Sequence, residues 1–514
     1  MGRVLTNNVS LAYTIETALG VAGTTWFLLE PNAINTFGAD ITTVTRDPIS
    51  KNRQRRKGTI TDLDSAVEME EDITLSSFRD FIEGFCFAVG INTDVTQLVT
   101  TAAETTTDSY AVSALSAAQA DKFEIDTLIW VRGFDTDAND GLKTVDADIV
   151  TSATAITVVE NLVDETKNAR LSFAGHRIAT ADVVTWDFDG TEQTGTLLLT
   201  GIGTELALLG LTLGETVHIG SILNPGETTI VNAFENSAAN DVFGYARVKT
   251  INANDVVFDK LDPALQFDDL TDPATAVDIL FGEFIRNVTV DDSEFLERSF
   301  QFEAEYPNLD DPNSEFEYAI GNFCNTAAFS LSLADKATVS FGFIGTDTEP
   351  PVIAGSRKTG ASAATQPTQT AAFNTSNDVA RLRITDVDET GLTTDFKSLT
   401  ITLSNNVSPE KVIGTLGAKF MNTGNFEVNV EAQLLFSEGL VVNRIRDNTT
   451  VTMDFIIRND DAVIAVDIPS MNLGGGGKEY PVNESVLINT TGEAFQDSLL
   501  STSIGVSIIP VPLP

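Results

Sequence analysis

Apolar and polar residues alternate strictly over segment after segment of this chain, and that period of two belongs to a half-buried β-strand. Over residues 59–72, Ile60, Asp62, Asp64, Ala66, Glu68, Glu70 and Asp72 share one face, and Thr61, Leu63, Ser65, Val67 and Met69 the other. One face is acidic and the other can pack. Phe300, Phe302, Ala304 and Tyr306 oppose Ser299, Gln301, Glu303 and Glu305, and Val339, Phe341 and Phe343 keep the same period. Leu399, Ile401 and Leu403 alternate with Thr400, Thr402 and Ser404. Phe426, Val428, Val430, Ala432 and Leu434 alternate with Glu427, Asn429, Glu431 and Gln433. Thr, Val, Phe, Ile and Asn dominate these runs, which predicts a mainly β chain.

Helical spacing is confined to short stretches. Phe78, Phe81, Ile82, Phe85 and Val89 recur at intervals of three and four, predicting a helix over 75–89. Ser76 and Ser77 can cap its start, Asp80 lies in its first turn and Gly90 can end it. A second short helix is expected at Gly439–Asp447.

Residues 1–95 read as strands followed by the first helix, and strand patterning returns over 281–350. Between them, 96–280 reads as an insertion that opens with a Thr- and Ala-rich linker at 98–107. It carries a weak internal repeat: FEIDTLIWVRG (123–133) parallels LGETVHIG (213–220), GLKTV (141–145) parallels ARVKTI (246–251), and TAITV (154–158) parallels NDVVF (254–258). Each copy is expected to form a small β-barrel, one within 96–180 and one within 181–280. A stretch rich in Pro, Gly, Ser, Thr and Ala predicts a linker over 351–377, and a second strand-rich unit fills 378–514. Strand with an acidic face, helix, long paired strands and final strand thus occur twice.

The chain has 31 Lys plus Arg against 74 Asp plus Glu, a formal net charge of -43. That sign argues against ordinary nucleic-acid binding, in which cations displace counterions from phosphates. Disorder is not implied, because 42% of residues are hydrophobic and only 20% are charged. No stretch is apolar for long enough to cross a bilayer, and the first ten residues lack the basic start and apolar block of a secretory signal.

Catalytic and metal-binding patterns fail on inspection. His176 and His218 lie in different repeats, too few for a metal cluster or a nucleophile relay. GGGGK (474–478) resembles a phosphate loop, but Asn472 stands where glycine is required and Glu479 where Ser or Thr is, so a flexible turn between strands is expected. Asp135, Asp137, Asn139 and Gly141 resemble a calcium loop, but Asp140 occupies the glycine position and Asp146 the closing glutamate position, so a polar loop is expected. Cys86 and Cys324 sit among aromatic residues, as buried free thiols do. No cofactor, no metal and no enzymatic activity are expected.

Five segments together resemble the tail tube proteins of long-tailed bacteriophages: RKGTITDLDSAVEMEEDITLSSFRDFIEGF (56–85), IWVRGFDTDANDGLKTV (129–145), FGEFIRNVT (281–289), RSFQFEAEYPN (298–308) and EYPVNESVLINTTGEAF (479–495). The resemblance implies two tandem tail-tube-type domains, each a β-sandwich with one helix, whose sheets join those of neighbouring subunits into a β-barrel. It implies a structural subunit of the virion, assembled in the host bacterial cytoplasm. Its partners would be copies of itself, other tail proteins at the tube ends, and phage DNA that passes without specific binding; no membrane is involved. With two units per chain, three chains are favoured over six in each ring. A carboxylate-lined lumen would repel phosphate, which makes Asp62, Asp64, Glu68, Glu70, Glu427 and Glu431 candidates for its wall; a solvated outer face explains the same alternation. Lys51, Arg53, Arg55, Arg56 and Lys57 form the one dense basic cluster, within an expected hairpin loop, and are candidates for ring-to-ring contact; a partnerless solvent loop is the bland alternative. A β-rich adhesin on a cell or virion surface is the competing function.

Overall fold

The computed structural model describes residues 4–513 except 48, 50, 52–53, 76–77, 93–95, 104–107, 180–182, 200–209, 229, 231–233, 235–240, 268–275, 308–313, 354–356, 368–369, 387–390, 394 and 438. The chain opens with β1 (Ser10–Ile15), β2 (Phe27–Leu29), β3 (Ala33–Arg46), β4 (Arg56–Asp72) and helix α1 (Phe78–Cys86). Next come β5 (Thr96–Ala103), β6 (Ser109–Ala111), α2 (Ala117–Ala120), β7 (Thr127–Arg132), β8 (Gly141–Thr144), β9 (Ala155–Thr157) and β10 (Glu165–Ile178). They are followed by β11 (Val183–Asp189), β12 (Thr194–Leu199), β13 (Thr216–Ile219), β14 (Gly244–Ile251), β15 (Asp255–Asp259) and β16 (Val277–Leu280). A further set is β17 (Glu283–Arg286), β18 (Ser299–Tyr306), β19 (Glu315–Ser332), β20 (Thr338–Gly345) and β21 (Asp347–Ile353). The last part holds β22 (Val379–Asp386), β23 (Gly391–Thr393), β24 (Phe396–Ser404), a small hairpin of β25 (Ser408–Glu410) and β26 (Phe420–Asn422), β27 (Glu427–Leu435) and α3 (Leu440–Asp447). It ends with β28 (Thr450–Arg458), β29 (Val463–Glu479), β30 (Leu487–Ala494) and β31 (Gly505–Ile509). The fold is mainly β.

One pairing plan occurs twice. β1–β2, β1–β18, β3–β4, β4–β20, β18–β19, β19–β20 and β19–β21 are antiparallel pairs. The same relations hold for β22–β23, β22–β28, β24–β27, β27–β30, β28–β29, β29–β30 and β29–β31. In each unit a long strand, β19 or β29, runs from one sheet layer into the other, so two layers face each other across one core. α1 closes the first unit. Phe81 lies 5.1 Å from Phe341, 5.3 Å from Phe343 and 5.4 Å from Phe300, ring centre to ring centre.

α1 is shorter than its apolar spacing predicts. It stops at Cys86, where Phe87 takes φ 47°, and Val89 is exposed although it continues the stripe. The backbone finds a better partner: Val89 N donates to Glu294 O and Leu296 N to Phe87 O, both 2.9 Å. The serines expected to cap α1 lie outside the described residues. Cys86 and Cys324 are free and buried, and burial pushes the Cys86 thiol up to about 12.

β5 to β16 form one sheet with one continuous apolar core, the two repeat copies meeting where β10 pairs with β16. Within it β5–β6, β6–β9, β7–β8 and β7–β10 recur as β11–β12, β12–β15, β13–β14 and β13–β16. Most of the Thr/Ala-rich stretch expected as a linker is strand β5, paired to both β6 and β10, because threonine suits a paired strand as well as a loop. The glycine run 474–478 is likewise not a turn between strands. It lies inside β29, where Gly475 and Gly476 take φ 77° and 87° at a β-bulge opposite β30. The region expected as a second linker begins as β21, and Phe373 within it is fully buried.

The insertion is locked to the second unit. Leu128, Trp130, Tyr245 and Leu280 pack with Ile456, Val463, Ala465 and Ile509. Beside this contact Arg247, Lys260, Asp259 and Asp262 from the insertion meet Arg381, Arg383, Asp454 and Asp467. Arg247 donates to Asp259 at 2.7 Å and 2.8 Å and to Asp467 at 2.9 Å. Arg381 donates to Asp262 at 3.0 Å and also bonds Asp454, Arg383 donates to Asp454 at 2.9 Å, and Lys260 bonds Asp467. Four cations and four anions cancel. Burial alone would raise the Asp454 carboxyl, but Arg381, Lys260 and Arg383 outweigh it and hold it well below the usual carboxylate range. The carboxylate therefore stabilises the fold at neutral pH and loses that effect only in strong acid. Asp454→Ala leaves Arg383 without its carboxylate and takes one of two anions from Arg381 and Lys260, and should cost on the order of 3–5 kcal/mol, read as a lowered denaturant midpoint. Removing residues 96–280 should be worse, yielding insoluble protein, because it exposes the apolar contact as well.

Candidate functional site

Strand register joins the two units into one wall. β3–β4–β20 continues into the C-terminal half of β19; β19 pairs with β24, and β24–β27–β30 continues into the C-terminal half of β29. The β19–β24 seam runs from Thr326 opposite Ser404 to Ser332 opposite Ser398. Directly opposite residues of an antiparallel ladder share a face, so registers trace both faces across all eight strands. One face is apolar: Val67 and Met69, Phe341 and Phe343, Ala327 and Phe329, Ile401 and Leu403, Val428 and Val430 are all buried. The other is polar: Glu68 and Glu70 oppose Gly342 and Ser340, which oppose Thr326 and Ala328, then Ser404 and Thr402, then Glu427 and Asn429.

Asp62, Asp64, Glu68, Glu70, Glu427 and Glu431 therefore stand on a single face of a single sheet, though hundreds of residues separate the two groups. Asp64, Glu68, Glu427 and Glu431 are exposed and Asp62 and Glu70 half-buried. The alternation had assigned each group to a face of its own strand; the seam makes those faces one. Asp40, Glu479 and Glu493 share it and were missed, because alternation in β3, in the glycine-rich end of β29 and in β30 is too weak to mark a face. Glu493 lies opposite Asn429, and Glu479 accepts from Asn489 Nδ2 at 2.6 Å.

The surface is not uniformly anionic. Lys411 Nζ, on the excursion that carries β25 and β26, donates to Asp62 and Asp64 at 2.6 Å each, which lowers the Asp62 carboxyl. At the far end of the β3–β4 hairpin the basic cluster is solvent-exposed: Lys51 lies near the tip, Arg56 opposes Arg46, and Arg55 pairs with Asp47 at 3.3 Å. Arg53 lies outside the described residues. Ile41, Val44 and Ile60 are about half exposed along this arm, so neither face of it has a covering layer in the single chain.

Other polar constellations serve the scaffold. Asp140 accepts from the backbone N–H groups of Gly133 and Phe134, and Asn139 donates to Val163 O and Glu165. His218 is buried with Nδ1 against Gly220 O, and burial drives it down to about 4, as it does His176. Among the described residues no group of three or more His, Cys, Asp or Glu is placed to hold a metal ion, and no helix is long and apolar enough to cross a membrane.

The family described as phage tail tube protein matches residues 6–492, nearly the whole chain and both halves of the wall. The chain belongs to that family. No curated protein matches it. This tail tube protein is a structural component of the phage tail in the virion, associating with copies of itself and with other tail proteins. Lys411→Ala should free the excursion around β25 and β26 from the acidic face. Amide exchange in residues 408–422 should then quicken while the melting temperature changes little, since the contact is solvent-exposed.

Proposed function

We propose that three copies of this tail tube protein close into a ring, that rings stack into a tube, and that the polar face lines the channel through which DNA leaves the capsid. Residues 1–95 with 281–350 form one tube unit and 378–514 the other, joined by 351–377, so a trimer presents six units. The β19–β24 seam carries this reading, because it is a unit-to-unit joint of the kind a ring needs, made inside one chain. Its continuation requires free edges at both ends of the wall. Among the described residues β3 ladders only with β4, and Gly474–Glu479 only with β30. Closure removes both, which is how a barrel avoids aggregation through its strand edges.

The acidic candidates would face the lumen, where carboxylates repel phosphate and keep the polyanion from sticking. The barrel modules 96–180 and 181–280 pack on Ile456 and Ile509, on the sheet layer that does not carry the polar face, which supports an outside position for them on the tube. The exposed hairpin arm with Lys51, Arg53, Arg55, Arg56 and Lys57 would reach an adjacent ring, and an acidic receiving surface suits it.

Two measurements test this. Native mass spectrometry of isolated rings should give three chains, with a central hole in negative-stain images; six chains would end the trimer. Arg55→Glu with Arg56→Glu should leave rings intact and shorten or abolish tubes, and unchanged tube length would remove the arm from stacking.

A further inference from the structure

We infer, on the tube reading above, that the joint between chains is a second copy of the β19–β24 seam, formed by the C-terminal end of β29 in one copy and β3 in the next, in a register the single chain already specifies. Two bulges fix the correspondence between the units. In the first, Asn35 is the extra residue between the pairs Ile34–Met69 and Thr36–Glu68, and Asn325 between Cys324–Phe343 and Thr326–Gly342. In the second, Lys397 is the extra residue between Phe396–Leu434 and Ser398–Gln433, and Gly476 between Gly475–Thr490 and Gly477–Asn489.

The two bulges are linked through the middle ladder. Glu68 opposes Gly342 in the first unit and Gln433 opposes Asn489 in the second, so both bulges fall at matching places. Thr36, Glu68, Gly342 and Thr326 thus correspond to Ser398, Gln433, Asn489 and Gly477. A bulge inserts one residue and shifts everything beyond it, so agreement at both leaves no slack in the alignment.

The intrachain seam then transfers directly. Thr326 opposite Ser404 becomes Gly477 opposite Thr42; Ala327 opposite Leu403 becomes Lys478 opposite Ile41. Ala328 opposite Thr402 becomes Glu479 opposite Asp40, and Phe329 opposite Ile401 becomes Tyr480 opposite Ala39. Exposure agrees with this. Phe329 and Leu403 are 1% and 0% exposed at the made seam, whereas their counterparts Tyr480 and Ile41 are 73% and 49% exposed in the lone chain. These apolar side chains lie on the core side of the wall and lack the strand that would cover them. A second copy supplies it, with the same stagger at every joint, which closure demands.

On the polar side the two joints differ. Ala328 and Thr402 are uncharged, but Glu479 and Asp40 are like charges set directly opposite, which weakens a ladder. The joint between chains is therefore the weaker of the two and tightens as ionic strength rises.

The test is a cross-link in the full chain. Directly opposite Cβ atoms lie about 5 Å apart and diagonal ones about 7–8 Å, so oxidation reports register. Asp40→Cys with Glu479→Cys should convert assembled rings into covalent trimers on a non-reducing gel; Thr42→Cys with Glu479→Cys should not. Cys86 and Cys324 stay silent because they are buried. Mixed single variants should give covalent dimers, which covers poor folding of the double variant. Ile41→Asp should leave the monomer folded and abolish rings. Rings that cross-link only through the offset pair, or through neither, or that form normally with Ile41→Asp, overturn the inferred joint and leave the tube reading standing. Unmodified protein that forms no ring at all sinks the tube reading itself.

Discussion

The backbone ladder between β19 and β24 is the interaction on which the rest of the architecture depends. It converts two sandwiches with separate faces into one eight-stranded wall, and it brings Glu68 and Glu70 onto the same surface as Glu427 and Glu431. Without it each unit would carry one more bare strand edge, and the acidic faces would have no fixed relation. The aromatic cluster of Phe81, Phe85, Phe341 and Phe343 supports that wall from behind, so the helix serves the sheet and not the reverse.

Much of the wall was legible because alternation is a local signal. In β27, and in β4 from Leu63 onward, each residue expected to pack is buried and each expected on the polar face is more exposed, whereas Thr61, on the uncovered arm, is exposed. Helix position was legible too, although its end was not: Val89 continues the stripe in sequence, but hydrogen bonds to residues 294–296 draw the backbone away, and no periodicity reports a partner two hundred residues distant. The same limit hid the eight-residue charge network, whose members are scattered from Arg247 to Asp467. Low-complexity stretches misled in a different way. Thr-rich β5 and the glycine run of β29 look like loops by composition, yet neighbouring strands recruit both.

The insertion sits on the second unit with buried charges at the contact, an expensive arrangement unless every ion is paired. Pairing is complete enough to be neutral, and it makes the orientation specific: an apolar contact alone tolerates sliding, whereas Arg247 must meet Asp259 and Asp467 together. The inserted modules are thereby held in one orientation on the second unit.

Duplication within one polypeptide has a consequence for timing. A wall built from identical single units would present the same sticky border at every joint, and any two chains could begin joining as soon as they were made. In the proposed ring half of the joints would be made during folding and need no partner. The remaining half would set Asp40 against Glu479, where neutral Thr402 and Ala328 stand in the seam within the chain, so newly made chains would repel at the proposed joint. On that reading polymer growth would wait for a template that holds the borders together, and stray filaments would be disfavoured before one exists.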